Sequence, residues 1–127
     1  MKLRTIVLAA ACSAFAFAAN AAEMLAYDVN SFNAALKAGD PILVDVKASW
    51  CPTCKAQAPI VEKIAASPEY KTLKIYDVDF DTQKDALKKF GVRMQSTLIV
   101  FRNGVETGRS VGDTTDGGIS ALIAKTK

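Results

Sequence analysis

The sequence predicts an α/β fold in the order βαβαβαββα, and three observations carry that reading. The run Ile42-Leu43-Val44-Asp45-Val46 is almost continuously apolar, as a strand covered on both faces is, and such strands belong to sheets with helices on either side. Segments of helical periodicity alternate with strand-like runs along the chain. Asn103-Gly104 separates two of those runs and is the strongest short-range signal for a hairpin.

The elements follow in order. Met24 to Tyr27 is a short strand, and Asn30 or Ser31 caps a helix through Ala38, stopped by Gly39 and turned by Asp40-Pro41. After the strand at Ile42–Val46, a helical pattern runs from Pro52 to Ala66. Pro59 removes one of its donors and predicts a kink, and Ser67-Pro68 ends it. Leu73 to Phe80 alternates as a strand, and Thr82 to Phe90 is an amphipathic helix closed by Gly91. Thr97–Phe101 and Val105–Ser110 flank the hairpin turn. A last helix starts within Asp113–Asp116 and packs through Ile119, Leu122 and Ile123.

The beginning of the chain reads as an address. Lys2 and Arg4 precede an apolar run from Thr5 to Ala19, and Ala19-Asn20-Ala21 offers a small-x-small cleavage site. Residues 1–22 are therefore expected to be a cleaved signal peptide, with 23–127 as one domain. The run is alanine-rich and short of the ~20 strongly apolar residues of a membrane span. A lipid anchor at Cys12 would want a branched apolar residue where Ala9 stands.

Removing that segment changes the electrostatics, because it holds two of the sixteen basic residues and none of the thirteen acidic ones. The remaining charges nearly balance and are interspersed, which argues against nucleic acid as a partner. Only Cys51 and Cys54 then remain, in an oxidising compartment, here the periplasm. Two residues apart, they are too close together for a disulfide framework.

The chemistry concentrates at Trp50-Cys51-Pro52-Thr53-Cys54-Lys55. Pro52 suits the first helical position, where its missing N–H costs nothing, which makes Cys51 the N-cap. A thiolate there accepts from free amides of the first turn and is favoured by the positive end of the helix dipole, so its pKa is expected to fall. Cys54 lies one turn on along the same face, and its sulfur is expected to be the less exposed. Cys51 then attacks a substrate disulfide and Cys54 resolves the mixed disulfide. Trp50 offers an apolar wall and Lys55 a nearby positive charge. The chain has no histidine, which excludes Cys-His catalysis and leaves too few soft ligands for a zinc site within one chain. Asp45 sits inside the apolar strand, so it must be hydrogen-bonded or have a raised pKa. It is the candidate acceptor for the proton of Cys54.

With these residues in place the chain resembles the thioredoxin family. Residues 42–55, ILVDVKASWCPTCK, look like the family's strand and redox helix, with Asp45 at its buried acid. Residues 92–104, VRMQSTLIVFRNG, look like the strand and hairpin that follow its substrate loop, and Gly112 falls at its later glycine. The resemblance implies the thioredoxin fold, with a mixed central sheet flanked by helices and a site at a helix N-terminus. It places Trp50, Pro52, Thr53, Gln95 and Ser96 against the substrate, and implies no cofactor and no metal.

Three departures stand out. Ser96 replaces a nearly universal cis-proline. A non-proline cis bond costs about 3 kcal/mol, so a trans Gln95–Ser96 bond is expected, and the change alters the footing for backbone pairing with substrates and opens the sulfurs to metal. Lys47 replaces a tryptophan common in cytosolic members, and Asp77 falls where a lysine often partners the buried acid; Lys47, two residues along the same strand face, is a candidate substitute. Pro52-Thr53 is similar to the dipeptide of periplasmic reductants in cytochrome c maturation, whereas strong periplasmic oxidants usually carry a histidine there.

The expectation is a monomeric periplasmic thiol–disulfide oxidoreductase, leaning reductant, that acts on disulfides of exported proteins and is recharged by a membrane electron donor. The alternatives are a metal- or cluster-binding module using Cys51 and Cys54, with Met94 as a conceivable soft ligand, and a binding protein whose disulfide only holds a docking surface.

Overall fold

Strand β2 (Ile42–Lys47) is the spine of the molecule, with its first five residues buried. The computed structural model describes residues 20–127; the apolar run Thr5–Ala19 and Cys12 lie outside the described residues. Around β2 stand β1 (Glu23–Ala26), β3 (Lys74–Asp79), β4 (Thr97–Arg102) and β5 (Val105–Val111), in the sheet order β1-β3-β2-β4-β5. β1, β3 and β2 run parallel, while β4 is antiparallel to β2 and β5 to β4. The helices are α1 (Val29–Ala38), α2 (Pro52–Ala65), α3 (Lys84–Phe90) and α4 (Asp116–Ala124). The order is the expected βαβαβαββα, and the mixed sheet is that of the thioredoxin fold.

The two-residue period of β2 divides the core. Ile42, Val44 and Val46 face Phe32 and Ala35 of α1 and Ala86, Leu87 and Phe90 of α3. Leu43 faces Val61 and Ala65 of α2 and Ile119, Leu122 and Ile123 of α4. By the same alternation Asp45 and Lys47 belong to the face that α2 covers. The first core is aromatic: Phe32 meets Tyr76, Phe90 and Phe101 edge-on, with ring centroids 5.1–5.6 Å apart, a favoured arrangement for ring quadrupoles.

Asn103 and Gly104 both take positive φ, 51° and 79°, as a two-residue hairpin turn requires. Gly39 ends α1 in the left-handed region at φ 77°. α2 passes through Pro59 as one helix, so the missing donor does not end it.

Three boundaries differ from expectation, each for a local reason. The N-cap of α1 is Asp28, not Asn30 or Ser31: its extended backbone lets the carboxylate accept from Ser31 N–H at 2.8 Å, while the Ser31 hydroxyl lies 3.0 Å from that of Tyr76. α3 begins at Lys84, not Thr82, because Asp79 Oδ1 accepts from the amides of Asp81 and Thr82 and holds them in a turn. A 3₁₀ turn, Pro68–Tyr70, follows the end of α2 and was not anticipated. The capping assignment predicts that Asp28→Ala lowers stability by about 1 kcal/mol while Asn30→Ala stays within about 0.5 kcal/mol, read from urea unfolding midpoints.

Candidate active site

The chain leaves β2 at Lys47, turns through Ala48-Ser49-Trp50 with Cys51 N–H donating to Ala48 O at 3.2 Å, and enters α2 at Pro52. Cys51 is the N-cap, with extended φ and ψ of −82° and 108°. The amide of Cys54 donates to its Sγ at 3.0 Å, so one orphan donor of the first turn is satisfied by sulfur. Cys51 and Cys54 are joined as a disulfide, with Cα atoms 5.3 Å apart.

Exposure runs opposite to expectation. Cys51 is fully buried, whereas Cys54 retains 7% of its surface. Reaching back over the helix end to accept from Cys54 N–H draws Cys51 inward, into a small cluster with Ala48, Cys54 and Phe80. Trp50 is 54% exposed, and its indole N–H is anchored to Asp81 Oδ2 at 2.9 Å. Pro52 is exposed and Thr53 partly so, which completes an open rim around closed sulfurs.

No peptide bond among the described residues is cis, so Gln95–Ser96 is trans, and Ser96 adopts φ 57°, a region costly for a residue with a Cβ. Ser96 is buried, and its hydroxyl donates to Gln95 O at 2.5 Å. Arg93 and Met94 of this loop are exposed, Met94 at 53%, and Gln95 is half-buried. Ser96 O accepts from Gly112 N–H at 3.0 Å and from Gln57 Nε2 at 3.2 Å. Gln57 was missed in the sequence, although its place was readable: Cys54, Gln57, Val61 and Ala65 are the buried face of α2, and a glutamine on that stripe must have partners. Asp81 and Phe80 were missed as well, since a turn after a strand carries no periodicity that would mark them.

Asp45 is buried beside Lys47, whose Nζ lies 3.5 Å from it and 3.1 Å from Asp77. In the β2–β3 register Asp45 stands directly opposite Asp77, an unfavourable juxtaposition of like charges. The ammonium between them offsets it, so Lys47 does replace the missing lysine, from the acid's own strand. The pKa of Asp45 is raised to about 6, chiefly by burial, with Lys47 drawing it down and Asp77 pushing it up. Burial works against the charge on Lys47 too, but the attraction of Asp45 and Asp77 prevails and its pKa rises. Lys47 and Asp77 also line a cleft of about 610 Å³ with Met24, Ala48, Asp79 and Gln83, so solvent reaches the partners of the buried acid.

Two predictions follow from this charge cluster. A carboxyl whose folded pKa lies above its ordinary value contributes a cost that is absent below pH 4, grows between pH 4 and 6, and is complete above. Asp45→Asn is therefore expected to stabilise the oxidised protein by up to about 3 kcal/mol at pH 8 and not at pH 4. Lys47→Met leaves two facing carboxylates without a counter-charge and is expected to destabilise by about 1–3 kcal/mol at pH 7, discounted from a fully buried pair because Lys47 is about a third exposed. Chemical denaturation across pH reads both.

Comparison with known proteins agrees with this geometry. The Thioredoxin family model matches residues 23–125. A thioredoxin of Pseudomonas aeruginosa is 35% identical over 88 residues, 69% of this chain and 81% of that protein. One from Echinococcus granulosus is 39% identical over 97 residues, 76% of this chain and 87% of that one. Among solved structures, Trxlp from Edwardsiella tarda superposes with a TM-score of 0.78 at 42% identity, covering 80% of this chain and 98% of that chain. A family match across the described sheet and helices, with a Cys51–Cys54 pair at the head of α2, means that the chain belongs to the thioredoxin family and is a thiol–disulfide oxidoreductase.

Proposed function

We propose that the protein is an exported reductant of disulfides, working in the periplasm on secreted clients, and that Cys51 is its nucleophile. The observation that supports this most is the sulfur N-cap: the Cys54 amide aimed at Cys51 Sγ is a donor that a thiolate uses better than a thiol does. In the reduced protein the Cys51 thiolate attacks one sulfur of a client disulfide. A mixed disulfide forms and one client thiolate leaves. Cys54 then gives its proton to Asp45 and attacks Cys51 Sγ; the Cys51–Cys54 bond forms and the second client thiolate departs. Two electrons pass to the client, and a membrane thiol–disulfide donor restores the dithiol.

Asp45 suits the acceptor's part because it lies on the sheet face beneath α2 and its pKa of about 6 is close to the working pH. Trp50, Pro52 and Thr53 form the rim where a client docks, with Met94 and Gln95 on the facing loop. The reductant assignment rests on the Pro52-Thr53 dipeptide and on the absence of a histidine between the cysteines, whose charge would favour the thiolate further. Export rests on the pattern of Lys2, Arg4 and the apolar run that follows.

Equilibration of the mature protein against glutathione buffers tests the direction of electron flow. A reversible two-electron potential near or below about −230 mV supports the reductant, a value near about −120 mV makes the protein an oxidant, and no reversible couple leaves the metal-binding module as the better reading. For the resolving step, Asp45→Asn is expected to slow single-turnover release of the mixed disulfide about tenfold or more at pH 7. An unchanged rate removes Asp45 from the mechanism.

A further inference from the structure

Gln57 is 1% exposed in the middle of α2, one helical turn beyond Cys54 and on the same buried face. An amide in that position loses its water and needs partners to recover the cost. It finds them in two loops distant in sequence. Nε2 donates to Ser96 O at 3.2 Å, just ahead of β4, and to Asp113 O at 2.9 Å, just after β5. Both hydrogens of the amide are used. Its Oε1 is buried with no partner among the described residues, so the side chain is oriented by its donors alone.

The segment it grips needs holding. Ser96 occupies the left-handed region at φ 57°, a conformation that persists in a residue with a Cβ only when its surroundings impose it. Gly112 N–H grips the same carbonyl, and the Thr97 hydroxyl donates to Met94 O at 2.7 Å, which closes the loop on itself. Gln57 is the one side chain among the described residues that ties this loop to the helix carrying both cysteines.

We infer that Gln57 is a positioning residue for protein substrates: by holding Ser96 O and Asp113 O together against α2, it sets the Met94–Ser96 loop at the distance from Cys51 at which a client strand is received. This rests on the proposed docking of clients between that loop and Trp50. It does not touch the chemistry at sulfur, because neither cysteine contacts the amide through a hydrogen bond. A small disulfide, which needs no loop to seat it, therefore exchanges with Cys51 whether or not the clamp is present.

Gln57→Met keeps the side chain's length and approximate volume and removes both donors. The full mature protein is compared with the variant on two substrates, insulin and 2-hydroxyethyl disulfide, together with the potential of the cysteine pair. The expected result is a KM for insulin raised about tenfold, with the small-disulfide rate within about twofold and the potential unchanged. Hydrogen exchange at Gly112 N–H, which shares the Ser96 carbonyl, is expected to quicken by about tenfold while the Val61 and Ala65 amides keep theirs. Gln57→Leu serves in the same way if the methionine variant does not fold. Equal losses on both substrates make Gln57 a general packing residue and overturn the inference, as does an unchanged KM for insulin. The small-disulfide rate of the unsubstituted protein reads the proposed redox chemistry by itself, so failure of that chemistry is seen separately from failure of the clamp.

Discussion

The structure turns on an unsatisfied backbone: α2 begins where β2 has just ended, and its first amides have no intrahelical acceptor. Sulfur fills one of those vacancies, with Cys54 N–H donating to Cys51 Sγ. Because a cap must sit at the entrance with extended backbone, Cys51 is fixed at the C-terminal edge of the sheet. Because the second cysteine supplies the donating amide, it is fixed one turn away on the same face. The spacing of the two cysteines, the proline between them and the burial of Cys51 are consequences of one hydrogen bond and one helix start. Closed sulfurs within an exposed rim follow too, since a cap folded back over its helix is covered by the turn that precedes it and by Phe80.

Beneath that helix the sheet carries a charge problem of its own. Parallel pairing of β2 with β3 sets Asp45 opposite Asp77, and two carboxylates on a face covered by a helix repel one another more strongly than they would in water. A single ammonium, from two residues along β2, lies within 4 Å of both. Placing the cation on the strand of the buried acid, with the second acid on the neighbouring strand, leaves Asp45 only partly compensated. Burial outweighs the pull of that ammonium, so its pKa stays near 6 and not at the low value of a fully paired carboxylate. Incomplete compensation keeps the group able to take and release a proton near neutral pH, whereas a perfect ion pair would hold it ionised and inert.

How much of this was legible in the sequence depended on whether a signal was local. The Ile42–Val46 strand, the Asn103-Gly104 turn, the Gly39 stop and the Cys51 cap each rest on a few adjacent residues with strong conformational preferences, and all stand where they were read. The Asp28 cap was missed because Asp28, Asn30 and Ser31 are all competent caps, and the choice was made by Tyr76, 45 residues away, which engages the Ser31 hydroxyl. The start of α3 was set too early for the same kind of reason, since Asp79 captures the amides that would have opened the helix. The burial order of the cysteines was inferred from position along the helix, without the turn and Phe80 that cover the first one. Lys47 as the partner of Asp45 was legible because strand alternation alone puts both on one face.

Ser96 shows what happens when a local constraint is exchanged for a distant one. A proline at that position fixes its own φ through its ring, and a loop built on it keeps its shape whatever the rest of the molecule does. Serine has no such stiffness, and here it is held in an unfavourable conformation by contacts from Gly112 and Gln57. Those contacts belong to other elements. The loop ahead of β4 is consequently fastened to α2, the helix that carries the cysteines, and to the segment between β5 and α4. The cost of an uncomfortable backbone at Ser96 is thus offset by contacts that also join this loop to α2, which gives a physical reason for a buried polar residue to stand on the apolar stripe of α2.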